Sequence, residues 1–449
     1  MYLADGRPAP ATSIPPGGRR TGRSRRVRAA VPSTVLVLGT VSLITDISSE
    51  MVTAVLPLYL VAELGLSPLG FGVLDGVYNG VSALVRLVGG RLSDRGGGAG
   101  HKAVAVVGYG LSALCKPLLL LVHSLPLIGA VLAVDRTGKG LRTAPRDAMI
   151  SLAAEPAARG RAFGVHRAMD TAGALCGPLV AFVLLRVAAE GYDAVFTVSF
   201  CVAVLGVVVL LLFVPGRALP AVEGPAGPTP AGPTPAGPRT ATAPRTPVRA
   251  LLGRPEIRRL TACAVLLGLT TVSDSFLYLT LQRRLDLPAG WFPLLPLGTA
   301  AAFLSLAVPM GAIADRVGRR RLFLAGHLVL LCAYGLLLAP FGGGAALVCA
   351  VLVLHGAFYA ATDGVLAAAT ADAVPEDARG SGLAVVQTGQ TAARLVCSLA
   401  FGAAWTAWGH HTAVLAAAVG LALAAALSAR LLRPAGPAAG PNSPSEHTS

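Results

Sequence analysis

Residues Leu132–Ile150, LAVDRTGKGLRTAPRDAMI, place Asp135, Arg136, Lys139, Arg142, Arg146 and Asp147 between apolar runs. On a helix Asp135, Lys139, Arg142 and Arg146 fall at i, i+4, i+7 and i+11, a stripe about 60° wide. Carboxylates beside guanidinium and ammonium groups can pair, take up and release protons, or grip a counter-charged solute. A charge at the centre of a bilayer costs at least about 2.5–3.5 kcal/mol on insertion scales. The stripe therefore faces protein or water. Counting about 1.5 Å per residue from Leu125, Asp135 and Arg136 lie midway through the membrane core. Arg142 and Arg146 lie nearer one surface, where long side chains snorkel, and are read as structural partners of Asp147, Glu155 or another helix.

Further charges lie in apolar segments: the cations Arg86, Lys116, Arg167 and Arg394, and the anions Asp46, Glu50, Asp75, Asp170, Asp274 and Asp363. This balance is expected where intramembrane charges neutralise one another. Asp46 and Glu50 share one helix face, as do Asp75, Asn79, Ser82 and Arg86. A proton carrier needs a carboxyl whose proton affinity changes with its surroundings, since burial raises it and an approaching arginine lowers it. Asp46, at a depth similar to Arg136, is the first candidate and Glu50 the second. Two alternatives stay open: Asp46 as a permanent ion-pair partner, and a rival site at Asp170 with His166 and Arg167.

The elements that must position these groups follow from composition. Of 449 residues 54% are hydrophobic and 13% charged, with mean hydropathy +0.67, against about 25% charged in soluble domains. Apolar segments of roughly 20–28 residues suit helices crossing a core about 30 Å thick. The reading is an all-α membrane protein of twelve transmembrane helices, span four at 126–151, span seven at 258–281, span ten at 345–371, and spans eleven and twelve at 381–408 and 411–432. Residues 1–33 form a basic disordered tail without a cleaved signal peptide. Residues 34–214 form a six-helix bundle, 215–257 a Pro/Arg-rich cytoplasmic linker, 258–432 a second six-helix bundle, and 433–449 a disordered tail. Nearly all Lys and Arg fall in the tails and every second connection. With both termini cytoplasmic, the external loops hold Arg186, Arg283 and Arg284, as the positive-inside rule asks. The +15 net charge is thus orientation information and predicts no nucleic-acid partner. The cysteines and histidines show no metal-ligand spacing, so neither metal, cofactor nor enzymatic activity is expected.

The halves repeat. GRLSDRGG (Gly90–Gly97) answers GAIADRVG (Gly311–Gly318), and the stretch before span five answers that before span eleven. Duplicated bundles place a binding site at their interface near the midplane. The loop G-x-x-x-D-R-x-G-R-R is complete as Gly311, Asp315, Arg316, Gly318, Arg319 and Arg320. Its first copy keeps Gly90, Asp94, Arg95 and Gly97 without the basic pair. Span four carries R-x-x-x-G as Arg136 and Gly140, and span five G-x-x-x-G-P as Gly173, Gly177 and Pro178. In these motifs the chain resembles the major facilitator superfamily of secondary transporters, over all twelve spans.

The resemblance implies the major facilitator fold, with spans one, four, seven and ten around a cavity. It also implies an inner gate built from the two D-R loops, proton coupling through span four, and substrate–proton exchange from G-x-x-x-G-P, where a further glycine is replaced by Ala181. Proton coupling is assigned to Asp46, Glu50, Asp135, Arg136 and Asp170. The substrate cavity is assigned to Asp46, Glu50, Arg136, Lys139, Asp274, Phe276, Tyr359 and Asp363, the aromatic positions being equally compatible with ordinary packing. G-x-x-x-G-P alone is also compatible with close helix packing. The function expected is export of a small amphipathic molecule by proton antiport at the plasma membrane, by a monomer whose partners are substrate, protons and lipid. The alternatives are an importer or exchanger of organic anions gripped by Arg136 and Lys139, and a non-transporting sensor or scaffold.

Overall fold

The computed structural model describes residues 31–93, 98–155, 159–188, 191–214, 253–340, 344–374 and 379–432. The expected tails and most of the 215–257 linker lie outside them, as do Asp94, Arg95 and Gly97. The described residues are helical throughout, without strands. In chain order the helices are α1 (Ser33–Leu58), α2 (Pro68–Ser93), α3 (Gly98–Leu121), α4 (Leu125–Ala153), α5 (Arg159–Val187) and α6 (Gly191–Phe213). There follow α7 (Pro255–Gly268), α8 (Asp274–Leu285), α9 (Leu294–Val317), α10 (Arg319–Leu338), α11 (Ala345–Thr362), α12 (Val365–Asp372) and α13 (Arg379–Leu431).

Among the described residues eight helical stretches are long and apolar enough to cross a membrane. The charge-bearing α4 is not one of them. α13 runs for 53 residues through a kink at Gly409, whose φ of 83° is open to glycine at little cost. The kink falls between the segments read as spans eleven and twelve.

Two expected spans are broken. The span over 258–281 divides into α7 and α8 at Leu269–Ser273, and that over 345–371 into α11 and α12 at Asp363–Gly364. At the first break the Val272 N–H donates to the Tyr334 hydroxyl at 2.8 Å, which supplies a backbone partner that the helix no longer provides. At the second, Gly364 adopts φ 76°. Asp274 and Asp363 sit at these breaks.

α1 packs on α5 and α6, α3 on α4 and α6, and α2 on α4. α9 packs on α11, α10 on α11 and α13, and α7 on α13. α2–α13 and α5–α9 contacts join the two sets. Glycines set the closest approaches. A Cβ on Gly138 would lie 2.6 Å from the Gly108 carbonyl oxygen, and one on Gly72 2.6 Å from that of Ser398.

Candidate functional site

A cavity of about 890 Å³ lies where α1, α2, α4 and α5 face α8, α9, α11 and α13. Beside it lies a cluster of packed aromatic rings. The Phe276 ring stands 4.9 Å from both Phe71 and Phe401 and 5.8 Å from Trp405, centroid to centroid. Phe276 is fully buried in this cluster and is not among the lining residues.

The charged stripe of α4 forms one wall, and each of its groups meets a partner. Lys139 Nζ lies 3.3 Å from Glu50 Oε1, and Arg142 Nη2 lies 3.2 Å from Asp46 Oδ1. Arg146 pairs with Asp147 at 3.0 Å and with Asp170 at 3.5 Å, and Arg167 adds a contact to Asp170 at 3.6 Å. The Arg142 guanidinium also stands 4.5 Å over the Tyr109 ring, a further stabilising contact for a buried cation. Asp46 therefore meets Arg142, not Arg136 at the matching depth. His166, of the rival site, lies 2.9 Å from the Ser42 hydroxyl through Nε2, not against Asp170.

Asp135 stands behind the wall. Lys116 Nζ lies 2.8 Å from its Oδ1, Ser112 donates to the same oxygen at 2.6 Å, and Arg136 binds the other oxygen. Arg136 reaches the cavity from this anchor, 4.0 Å over the Tyr78 ring.

On the facing side Asp274 Oδ1 receives the Tyr359 hydroxyl at 2.5 Å and lies 3.1 Å from His355 Nε2. Asp75 of α2 accepts the Ser398 hydroxyl of α13 at 2.6 Å, a direct bond between two helices that line the cavity. Of the expected cavity residues, Asp46, Glu50, Arg136, Lys139, Asp274, Tyr359 and Asp363 line the space, as does Asp170. Sequence reasoning missed Tyr78, Asp75 with Ser398, and His355 beneath Asp274. Asp75 was visible as an in-span charge, but nothing local marks its serine 323 positions away.

G-x-x-x-G-P is a helix contact. A Cβ on Gly177 would lie 2.8 Å from both the Ile47 carbonyl oxygen and Glu50 Cβ, so α5 rests on the face of α1 that carries Asp46 and Glu50. In the complete loop motif Gly311 lies within α9, and Asp315 and Arg316 are exposed at its end. Gly318 turns with φ 96°. Arg319 pairs with Asp372 at the end of α12 at 2.6 Å, and Arg320 lies 3.8 Å from Glu256 of α7. Gly90, the described residue of the first copy's motif set, lies in α2.

A cavity lined with ion-paired charges, set among helices several of which are long and apolar enough to cross a membrane and flanked by broken ones, is the site of a membrane transporter. A sequence model of the Major Facilitator Superfamily matches residues 38–307 and 294–449. The chain belongs to that superfamily and is a multi-pass secondary transporter. An uncharacterised MFS-type transporter of Methanocaldococcus jannaschii is 28% identical over 382 residues, 83% of this chain and 88% of the relative. An uncharacterised Mycobacterium bovis protein is 35% identical over 158 residues, 35% of this chain and 38% of the relative. Among solved structures, nucleoside transporter NupG superposes with TM-score 0.74 at 12% identity, covering 89% of this chain and 100% of that one. Peptide transporter POT, in complex with alafosfalin, gives 0.68 at 16%, covering 89% and 95%. An inward-facing bacterial homologue of the human lysosomal transporter Spinster gives 0.68 at 15%, covering 89% and 96%. At such identities these structures share the fold.

Proposed function

We propose that this chain exports a small amphipathic molecule in exchange for protons, by alternating access of two six-helix bundles, 34–214 and 258–432, that together make twelve spans. It works as a monomer in the plasma membrane with both termini cytoplasmic. The observation that carries this reading is the ladder of ion pairs Glu50–Lys139, Asp46–Arg142 and Asp170–Arg146 on the cavity wall. A proton arriving at Asp46 cancels the charge that holds Arg142. The freed guanidinium then needs another partner, and helix rearrangement supplies one. Asp46 is the primary carrier, with Glu50 and Asp170 next along the ladder, while Asp135 holds Arg136 in place.

The alternative, an importer or exchanger in which Arg136 and Lys139 grip an organic anion, is weakened because Asp135 and Glu50 already engage both cations. A sensor or scaffold is disfavoured by the family.

The test is proton flux in inside-out vesicles with an acid interior, wild type against Asp46→Asn, as lipophilic cations, antibiotics and organic acids are added singly. Proton release by the wild type alone is expected. Release that survives in Asp46→Asn moves the carrier to Asp170. No release with any compound removes the antiport reading in favour of uptake.

The Asp-Arg loops are proposed as inner-gate latches. The Arg319–Asp372 pair is partly exposed, Arg319 by 36% and Asp372 by 66%, so Arg319→Ala should change thermal stability by no more than about 1 kcal/mol while slowing exchange several-fold. An unaltered exchange rate would leave these residues as orientation charges only.

A further inference from the structure

Arg394 on α13 differs from every other cation on the cavity wall. Arg136, Lys139, Arg142, Arg146 and Arg167 each lie within ion-pair distance of a carboxylate. Arg394 also lines the cavity, but no carboxylate among the described residues comes within 4.0 Å of it. Its Nε is buried with no hydrogen-bond partner. The acids on that side are engaged by other donors: Asp274 by Tyr359 and His355, and Asp75 by Ser398, one helical turn along from Arg394. A half-buried guanidinium with no carboxylate at ion-pair distance, on which Asp274 acts only from farther away, is costly in a membrane protein's interior, and a native cavity carries that cost where a ligand supplies the missing contact. Phe292, Pro296 and Phe303 line the same cavity, so it offers apolar surface as well as a planar, bidentate anion receptor.

We infer that Arg394 receives an anionic group of the transported molecule, so that the substrate is an amphipathic organic acid or phosphate ester whose apolar body lies along α8 and α9. This rests on the transporter reading and narrows it. It moves anion recognition from Arg136 and Lys139, which hold carboxylates at ion-pair distance, to the one cavity cation among the described residues that has none within 4.0 Å.

The test is binding without any proton gradient. The purified full chain in phosphatidylcholine nanodiscs is heated with benzoate, phenylphosphonate, benzyl alcohol or benzylammonium, wild type against Arg394→Gln. The two anions should raise the wild-type melting temperature and the neutral and cationic compounds should not. Arg394→Gln should weaken anion binding by about ten- to a hundredfold, the worth of a charge-assisted hydrogen bond. In parallel, p-hydroxyphenylglyoxal should modify Arg394 in the wild type, read by peptide mass spectrometry, and phenylphosphonate should protect it. The second readout needs no variant to fold.

Equal stabilisation by benzyl alcohol, full anion binding in Arg394→Gln, or an Arg394 label that no anion protects would each overturn the inference. Stabilisation and protection seen only on adding phosphatidylglycerol would also overturn it, assigning the arginine to a lipid headgroup. Anion binding without proton exchange in vesicles would sink the antiport reading and leave this site standing. Proton exchange without anion binding would do the reverse.

Discussion

Asp135→Asn is expected to destabilise the protein by about 3–5 kcal/mol, because it strands buried cations. Asp135 binds Lys116 at 2.8 Å, and the Lys116 side chain is only 2% exposed. Asparagine keeps the shape and the Ser112 contact but not the charge. Lys116 then has no carboxylate, and it lies too deep to reach water. Chemical or thermal unfolding in detergent measures the loss. The decisive comparison is the pair Lys116→Met with Asp135→Asn, which removes the deeper of the two cations with the anion and leaves Arg136, which also reaches the cavity. Because a missing ion pair costs far less than a broken one, the double variant should regain at least half of the lost stability. Equal stability of the single and double variants would mean that the stranded ammonium is not what the aspartate satisfies.

The same geometry explains what could be read from the sequence around α4. The i, i+4, i+7, i+11 spacing put Asp135, Lys139, Arg142 and Arg146 on one face; the last three line the cavity, while Asp135 lies behind it. Their partners were not legible, because depth along one helix does not fix the tilt and rotation of another. Counting along the spans set Asp46 level with Arg136, yet the crossing of α1 and α4 brings Asp46 to Arg142. Likewise Lys116 was visible as an in-span cation, but only the α3–α4 contact, tight enough to set Gly108 against Gly138, makes it the counter-charge of Asp135.

Hydropathy also concealed the breaks. TTVSDS around Asp274 and ATDGV around Asp363 are short polar interruptions in apolar runs, and a window average passes over them. Chain geometry does not: Thr271–Ser273 are non-helical and Gly364 takes a positive φ. Both breaks expose backbone that a helix would have satisfied, tolerable in a membrane protein only where protein or a polar cavity replaces those bonds. Each break also delivers an aspartate to the cavity. The kink at Gly409 falls in the gap left between the segments read as 381–408 and 411–432.

The aromatic residues illustrate the limit from the other side. Phe276 and Tyr359 were both expected in the cavity on the strength of their spans. They diverge because α8 starts at the break: Phe276 turns into the aromatic cluster with Phe71 and Phe401, while Tyr359 on α11 reaches Asp274. A side chain's face on a helix is readable only when the helix's start is known.

Gly177→Leu is expected to abolish proton exchange and to cost more than about 3 kcal/mol of stability. Overpacking against movable side chains costs about 1–3 kcal/mol. Here the added atoms meet backbone: the Ile47 carbonyl oxygen at 2.8 Å and the Met51 nitrogen at 2.9 Å from a Cβ alone. α5 would have to back away from α1, and with it the bridge by which Arg146 spans Ser42 at 3.4 Å and Asp170 at 3.5 Å. Gly177→Ala should fall between the variant and wild type. Gly110→Leu, in α3 where a Cβ meets nothing within 4 Å, should fold and exchange normally. Melting temperature and vesicle proton flux on the three variants give the answer. A stable, exchange-competent Gly177→Leu would detach G-x-x-x-G-P from the charge ladder. A stable but inactive one would place the motif's role in helix movement. The expected joint loss would mean that the close crossing of α1 and α5 is what holds the acids of both helices within reach of the α4 arginines.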